Sequence, residues 1–104
     1  MAPIVIFTRL QARPGGRDEL VAAFDALHGA VSSEPSTTVF AMHVASDDPD
    51  VVLFYEVYAD DDALAEHREG DAVREIVPQL TALLARAPAI TYASPVRTKG
   101  LPPV

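Results

Sequence analysis

Thr37-Thr38-Val39-Phe40-Ala41-Met42-His43-Val44-Ala45-Ser46 and Val51-Val52-Leu53-Phe54-Tyr55-Glu56-Val57-Tyr58-Ala59 flank the turn Asp47-Asp48-Pro49-Asp50. Both flanks are rich in β-branched and aromatic residues, which suit a pleated, half-buried surface. An acidic, Pro-containing turn this short joins them as an antiparallel hairpin. Side chains alternate across a strand, so Phe40, Met42 and Val44 share one face, as do Val52, Phe54, Glu56 and Tyr58. The opposite faces carry Val39, Ala41 and His43, and Val51, Leu53, Tyr55 and Val57. Neither strand has a fully polar side.

Working outward, Ile4 to Ala12 is a third such run, ending at the turn signal Arg13-Pro14-Gly15-Gly16. Ile4, Ile6, Thr8 and Leu10 lie on one face, and Val5, Phe7 and Arg9 on the other. From about Arg17 to Val31 the period becomes helical, with Leu20, Phe24, Leu27 and Val31 forming one stripe. Asp18 and Glu19 occupy its first turn, where the helix dipole favours acids. Ser32-Ser33-Glu34-Pro35-Ser36 breaks the helix, because proline restricts the residue before it.

After the hairpin, Asp60-Asp61-Asp62 supplies an N-cap for a short helix ending near Gly70. Asp71 is then read as the cap of a helix reaching about Arg86, with a kink or break expected at Pro78. Ala89 to Val96 is the last strand, pairing Ile90 with Tyr92 on one face. The order is β-α-β-β-α-β, an α+β ferredoxin-like antiparallel sheet with helices on one face. The domain is expected over residues 1–97. The tail, 98–104, contains Pro102-Pro103 and is expected to drape on a neighbour. Helices cover one sheet face only, yet the strands are apolar on both, so a second subunit is expected to cover the other. The chain is read as a homodimer.

Composition narrows the function classes. Of 104 residues, fifteen are Asp or Glu and eight Lys or Arg, a formal charge of −7. That balance repels phosphate backbones, so no nucleic-acid partner is expected. There is no cysteine, hence no disulfide and no thiolate nucleophile. No stretch approaches the roughly 20 apolar residues of a membrane helix, and Met1-Ala2-Pro3-Ile4 lacks the basic start of a secretory leader. The expected location is cytoplasmic, with no membrane partner. His28, His43 and His67 show no metal-ligand spacing, so no metal is expected.

Four segments carry a resemblance: Glu34-Pro35-Ser36-Thr37-Thr38-Val39-Phe40, Asp48-Pro49, Phe54-Tyr55-Glu56-Val57-Tyr58 and Ala63-Leu64-Ala65-Glu66-His67. A Glu-Pro turn into the second strand, a Glu-aromatic end to the third and an Ala-x-x-x-His helix resemble the antibiotic biosynthesis monooxygenase family, across roughly residues 4 to 95. The resemblance implies a dimeric α/β barrel with a pocket between sheet and helices in each subunit. It also implies a choice of activities: cofactor-free oxidation of phenols by dioxygen, quinol oxidation, haem degradation, or isomerisation of a signalling sugar phosphate. Similar oxidising and haem-degrading members carry Asn before the first-strand Arg, where this chain has Thr8 before Arg9. They also carry a Trp near the position of His67, and this chain has none. The histidine of haem-binding members is replaced by an apolar residue near Val77, so haem degradation is not expected.

The resemblance thus points to a cofactor-independent oxidation of a phenolic or quinol-type small molecule by dioxygen. His67 is the candidate base, its ordinary pKa lying near working pH, and Glu56 its candidate partner. Each also has a structural reading, His67 as a helix-to-sheet hydrogen bond and Glu56 as a partnered buried acid. Thr8, Arg9, Phe40, Phe54 and Tyr58 are the candidate substrate contacts; Arg9 is equally read as neutralising an acid, and Phe54 as core. Two other functions stay open: a non-catalytic ligand-binding dimer that keeps the pocket, and a phosphorylated-sugar isomerase.

Overall fold

Strand β1 (Ile4–Gln11) leads into helices α1 (Arg17–Ala23) and α2 (Asp25–Val31). Strands β2 (Thr37–Val44) and β3 (Val51–Tyr58) form the hairpin. Helices α3 (Asp61–Glu69) and α4 (Asp71–Leu83) follow, then β4 (Ala89–Ala93). This computed structural model describes residues 3–101, and the expected draping of Pro102-Pro103 falls outside them. The sheet order is β2-β3-β1-β4, antiparallel throughout. The ferredoxin-like architecture read from the sequence is the one observed, each helical region being divided in two.

Register sets the floor of the fold. Ile6 stands opposite Glu56 on one side and Tyr92 on the other, and Phe40 opposite Glu56. The next row on the same face is Met42, Phe54, Thr8 and Ile90. Leu20, Phe24, Leu27, Val31 and Ile76 from the helices close over Leu10, Val52 and Phe54 in one buried cluster. A second cluster joins Ile6, Tyr58, Ala63 and Leu64.

Four expectations change. The helix expected over 17–31 is interrupted at Phe24, whose N–H bonds Val21 O at 3.1 Å, an i−3 acceptor. That tightened turn lies where the Phe24 ring packs on Phe54, 4.8 Å between centroids. The helix expected to reach Arg86 stops at Leu83, because Leu84 turns extended and its neighbours pair with the end of β1: Arg13 N–H to Leu83 O and Ala85 N–H to Gln11 O. No break occurs at Pro78, through which α4 runs. Finally, Gly70 and not Asp71 is the α4 N-cap, and Asp71 sits in the first turn. Asp60 does cap α3, accepting from Ala63 N–H at 2.9 Å.

Local contacts hold the β2–β3 turn to the front of α1. Arg17 donates to Ala45 O and Asp48 O at 3.1 and 3.0 Å. Gly15, with φ +77, turns its N–H onto Asp50 Oδ1; a side chain there would strain this left-handed conformation. No helix among the described residues is long and apolar enough to cross a membrane.

The outer sheet face is uneven. Val5 and Val57 are buried on it, while Phe7 and Leu53 remain 48% and 39% exposed. Leu20, wholly buried under the α1–α4 contact, is the most sensitive test of this packing. Leu20→Ala is expected to lower unfolding free energy by about 2–5 kcal/mol, read from urea denaturation; an unchanged midpoint would contradict the packing described.

Candidate active site

Between the sheet and helices α2, α3 and α4 the two core clusters do not meet. A cleft of about 210 Å³ lies at the seam, floored by Thr8, Phe54 and Glu56 and roofed by Val73, Ile76 and Leu80. A smaller lobe of about 140 Å³ continues it toward β4, adding Tyr58, Arg68 and Tyr92. Thr8, Glu56, His67, Val73 and Ile90 line both lobes. Both lobes are lined mainly by apolar surface, the outer one adding the polar groups of Tyr58, Arg68 and Tyr92, with His67 and Glu56 at the junction.

His67 comes from α3, one turn before the Gly70 end, and is 7% exposed. Its ring lies between Phe40 and Tyr58, at 5.6 and 5.2 Å between centroids. A buried imidazole needs a partner. Its partner is Glu34, with Nδ1 to Oε1 at 2.9 Å. An ionised carboxylate only accepts, so Nδ1 carries the hydrogen and Nε2 is the free acceptor of the neutral ring. Thr37 donates to the same Glu34 oxygen at 2.9 Å, fixing the carboxylate from the start of β2.

Glu56 does not hydrogen-bond to His67. It accepts from Tyr58 OH at 2.5 Å, two residues along the same strand face. Burial pushes the Glu56 carboxyl above its ordinary value, although the Tyr58 hydrogen bond and the charges of His67 and Arg68 pull the other way. Burial likewise raises the Tyr58 phenol, assisted by Glu56 and Glu34. Tyr58 is therefore a permanent donor. The two carboxylates occupy different electrostatic situations: Glu34 is held by His67 and Thr37, Glu56 is desolvated with one donor.

Thr8, Phe40, Phe54, Glu56 and His67 are thus brought together around one cleft, with Tyr58 in its outer lobe. Arg9 is not. It alternates with Thr8 onto the outer sheet face, where its guanidinium stands 3.8 Å from Asp48. Glu34, Arg68 and Tyr92 were not among the candidates. The signal for Glu34 was the Glu34-Pro35 turn itself, which served only as a motif. Among the described residues no three His, Cys, Asp or Glu side chains are grouped so as to hold a metal ion.

The sequence model of the antibiotic biosynthesis monooxygenase family matches residues 3–79. The chain belongs to this family. Rv0793 of Mycobacterium tuberculosis, provisionally named a monooxygenase, is 30% identical over 95 residues, covering 91% of this chain and 93% of its own. Its solved structure superposes with a TM-score of 0.85 at 26% identity, covering 93% of this chain and 98% of that one. A Caulobacter crescentus protein, provisionally assigned to the same family, gives 0.84 at 25% identity over 92% of each chain. For PA3566 of Pseudomonas aeruginosa, at 0.85 and 21% identity with 93% and 97% coverage, the likeness concerns the fold.

The family match runs from β1 into α4; β4, which adds Ile90 and Tyr92 to the cleft, lies beyond it. The Glu56 environment yields a test that needs no substrate. In the unfolded chain the carboxyl titrates near its ordinary 4.5, and in the fold it titrates higher, so the native state holds the proton more tightly. Stability relative to Glu56→Gln is therefore fully retained below the unfolded value and lost as pH rises through the folded one. Chemical denaturation of both proteins from pH 4 to pH 8 is expected to show this relative decline; parallel curves would exclude it.

Proposed function

We propose that this family member is a cofactor-independent monooxygenase acting on a small phenolic or quinol-type ring, with His67 as the base. The observation that carries the reading is the buried His67–Glu34 pair facing an apolar cleft. Glu34 holds Nδ1–H, leaving Nε2 to take the phenolic proton, and it stabilises the imidazolium that forms. Glu34 thus fills the role the sequence reading gave to Glu56.

In the proposed reaction a phenol or quinol with a free carbon ortho or para to its hydroxyl and one dioxygen give a quinone and one water. His67 removes the hydroxyl proton, and the electron-rich phenolate passes an electron to dioxygen. Recombination forms the carbon–oxygen bond, and the imidazolium returns its proton to the peroxide, giving a ring hydroperoxide. His67 then takes the ring C–H proton as the second carbonyl forms and the O–O bond breaks, and that proton restores Glu56 at the end of the cycle. The departing hydroxide takes a proton and leaves as water. Four electrons leave the phenol and four reach the two oxygen atoms. Glu56, held toward its neutral form by burial, is placed to supply that last proton, and Tyr58 keeps it oriented. The apolar wall of Phe24, Leu27 and Ile76 keeps bulk water from the intermediate.

Cleft size supports this substrate class. An apolar cavity of about 150 Å³ holds benzene, so the inner lobe of about 210 Å³ has room for one substituted ring. The same lining offers few partners for sugar hydroxyls, which counts against the sugar-phosphate isomerase. A dimer is also proposed, paired through the open part of the outer face, where Phe7 stacks on Tyr55 at 5.3 Å beside the exposed Leu53.

Oxygen uptake with single-ring hydroquinones and phenols is the direct test. Removal of the base in His67→Ala is expected to slow turnover by roughly 10²–10⁴-fold; an unchanged rate would remove His67 from the mechanism. Thermal stabilisation by these compounds with no oxygen consumed would favour the non-catalytic binder instead. Light scattering at micromolar concentration is expected to give twice the chain mass, and Leu53→Asp half of that. A wild-type monomer would overturn the pairing.

A further inference from the structure

Among the described residues Arg68 is the only Lys or Arg lining either lobe of the cleft. Among the described residues it forms no ion pair; the pairs present join Arg9 to Asp48, His67 to Glu34 and Arg74 to Asp71. In a chain with fifteen acids and eight Lys plus Arg, acidic partners are abundant, yet this guanidinium pairs with none of them, Glu56 of the same lobe included. Its position is nonetheless held. The guanidinium carbon stands 5.3 Å from the Tyr92 ring centre, and a terminal nitrogen donates to Tyr92 OH. That contact ties the last turn of α3 to the edge strand β4 across the outer lobe.

Glu56 lines the same lobe and feels this charge, but forms no ion pair with it. Its carboxyl is engaged by Tyr58, and burial favours its neutral form. A guanidinium has five N–H donors in a planar fork. With one used on Tyr92, the fork keeps an edge for a bidentate anion, which an ammonium could not match.

We propose that Arg68, held by Tyr92, determines the specificity of the cleft by binding an acidic substituent of the substrate, so that the ring fills the inner lobe and a carboxylate or phosphate the outer. This rests on the phenol-oxidation reading of the same cleft and names its substrate class: a hydroxyaryl acid, not a neutral phenol. No other described cation lines the cleft to compete for the anion, and the surrounding acidic surface would otherwise repel it.

The test is NMR titration of the full chain, following the His67 ring resonances, which report occupancy of either lobe. The probes are 4-hydroxybenzoate, its uncharged isostere 4-hydroxybenzamide, and 4-hydroxyphenyl phosphate. At least one acid is expected to bind about tenfold or more tightly than the amide, as charge-assisted hydrogen bonds imply, and which acid wins identifies the anion. In Arg68→Gln the acid-to-amide ratio is expected to fall to about one, while Arg68→Lys retains part of it. The preference of the wild type should also decline with added salt. Equal binding of acid and amide, with His67 shifting for both, would overturn the proposal and leave the oxidation reading standing. Retention of the full ratio in Arg68→Gln would overturn the assignment to Arg68. If none of the three probes moves His67, both readings fall together.

Discussion

Ile6 of β1 faces Glu56 of β3, and Thr8 faces Phe54; the cleft exists because those two pairings share the helix side of the sheet. Side chains alternate with a period of two, so a slip of one residue would send Thr8 outward and bring Arg9 and Phe7 beneath the helices. β1 is paired on both edges, by β3 and β4, which pins this register twice. The row Phe40, Glu56, Ile6 and Tyr92 then runs across the whole sheet. The helices cover its β2 side and leave its β4 side open as the mouth. Fold and site are in this sense one constraint.

Placing an imidazole in such a seam carries a cost that its partners offset. His67 is 7% exposed, and an unpaired ring nitrogen there would lose about 1–3 kcal/mol of hydration uncompensated. Glu34 supplies the acceptor from the α2–β2 turn, and Thr37 locks Glu34 in place. The same arrangement selects one tautomer, so a structural role for His67 does not exclude the proposed chemical one. Across the cleft the Glu56–Tyr58 pair sits on a rigid strand face, with its acid desolvated. Burial there raises the Glu56 carboxyl above its ordinary value.

The acidic balance of the chain and the single cationic side chain at the cleft give the site a direction. Apolar surface lies deep, between Phe24, Leu27 and Ile76; hydrogen-bonding groups lie at the junction; Arg68 and Tyr92 lie outward. An entering molecule with one polar and one apolar end would be oriented before any bond is made, which is where much of the advantage of a bound reaction originates.

Alternation and helical period determined a good deal by themselves. The four strands, their faces, the hairpin at Asp47–Asp50, the Asp60 cap and the antiparallel α+β order are local consequences of side-chain shape and backbone restriction, and all are legible in the chain. Within β3, the shared face of Phe54, Glu56 and Tyr58 was legible too, whereas their sharing it with Thr8 and Phe40 was implied by the family resemblance and is fixed by the register. Alternation also placed Arg9 opposite Thr8, so its outward position was readable too. What tertiary structure alone decided is who meets whom across elements. Glu34 and His67 are 33 residues apart, and no spacing rule links a turn to a helix packed beside it. The interruption at Phe24 follows a ring that seats on Phe54, and α4 ends where Leu84 meets β1. Arg68 and Tyr92 likewise meet only because β4 returns beside β1, within reach of the end of α3. Local sequence sets the direction of each side chain, but long-range packing sets its partner, and in this protein the chemistry resides in the partners.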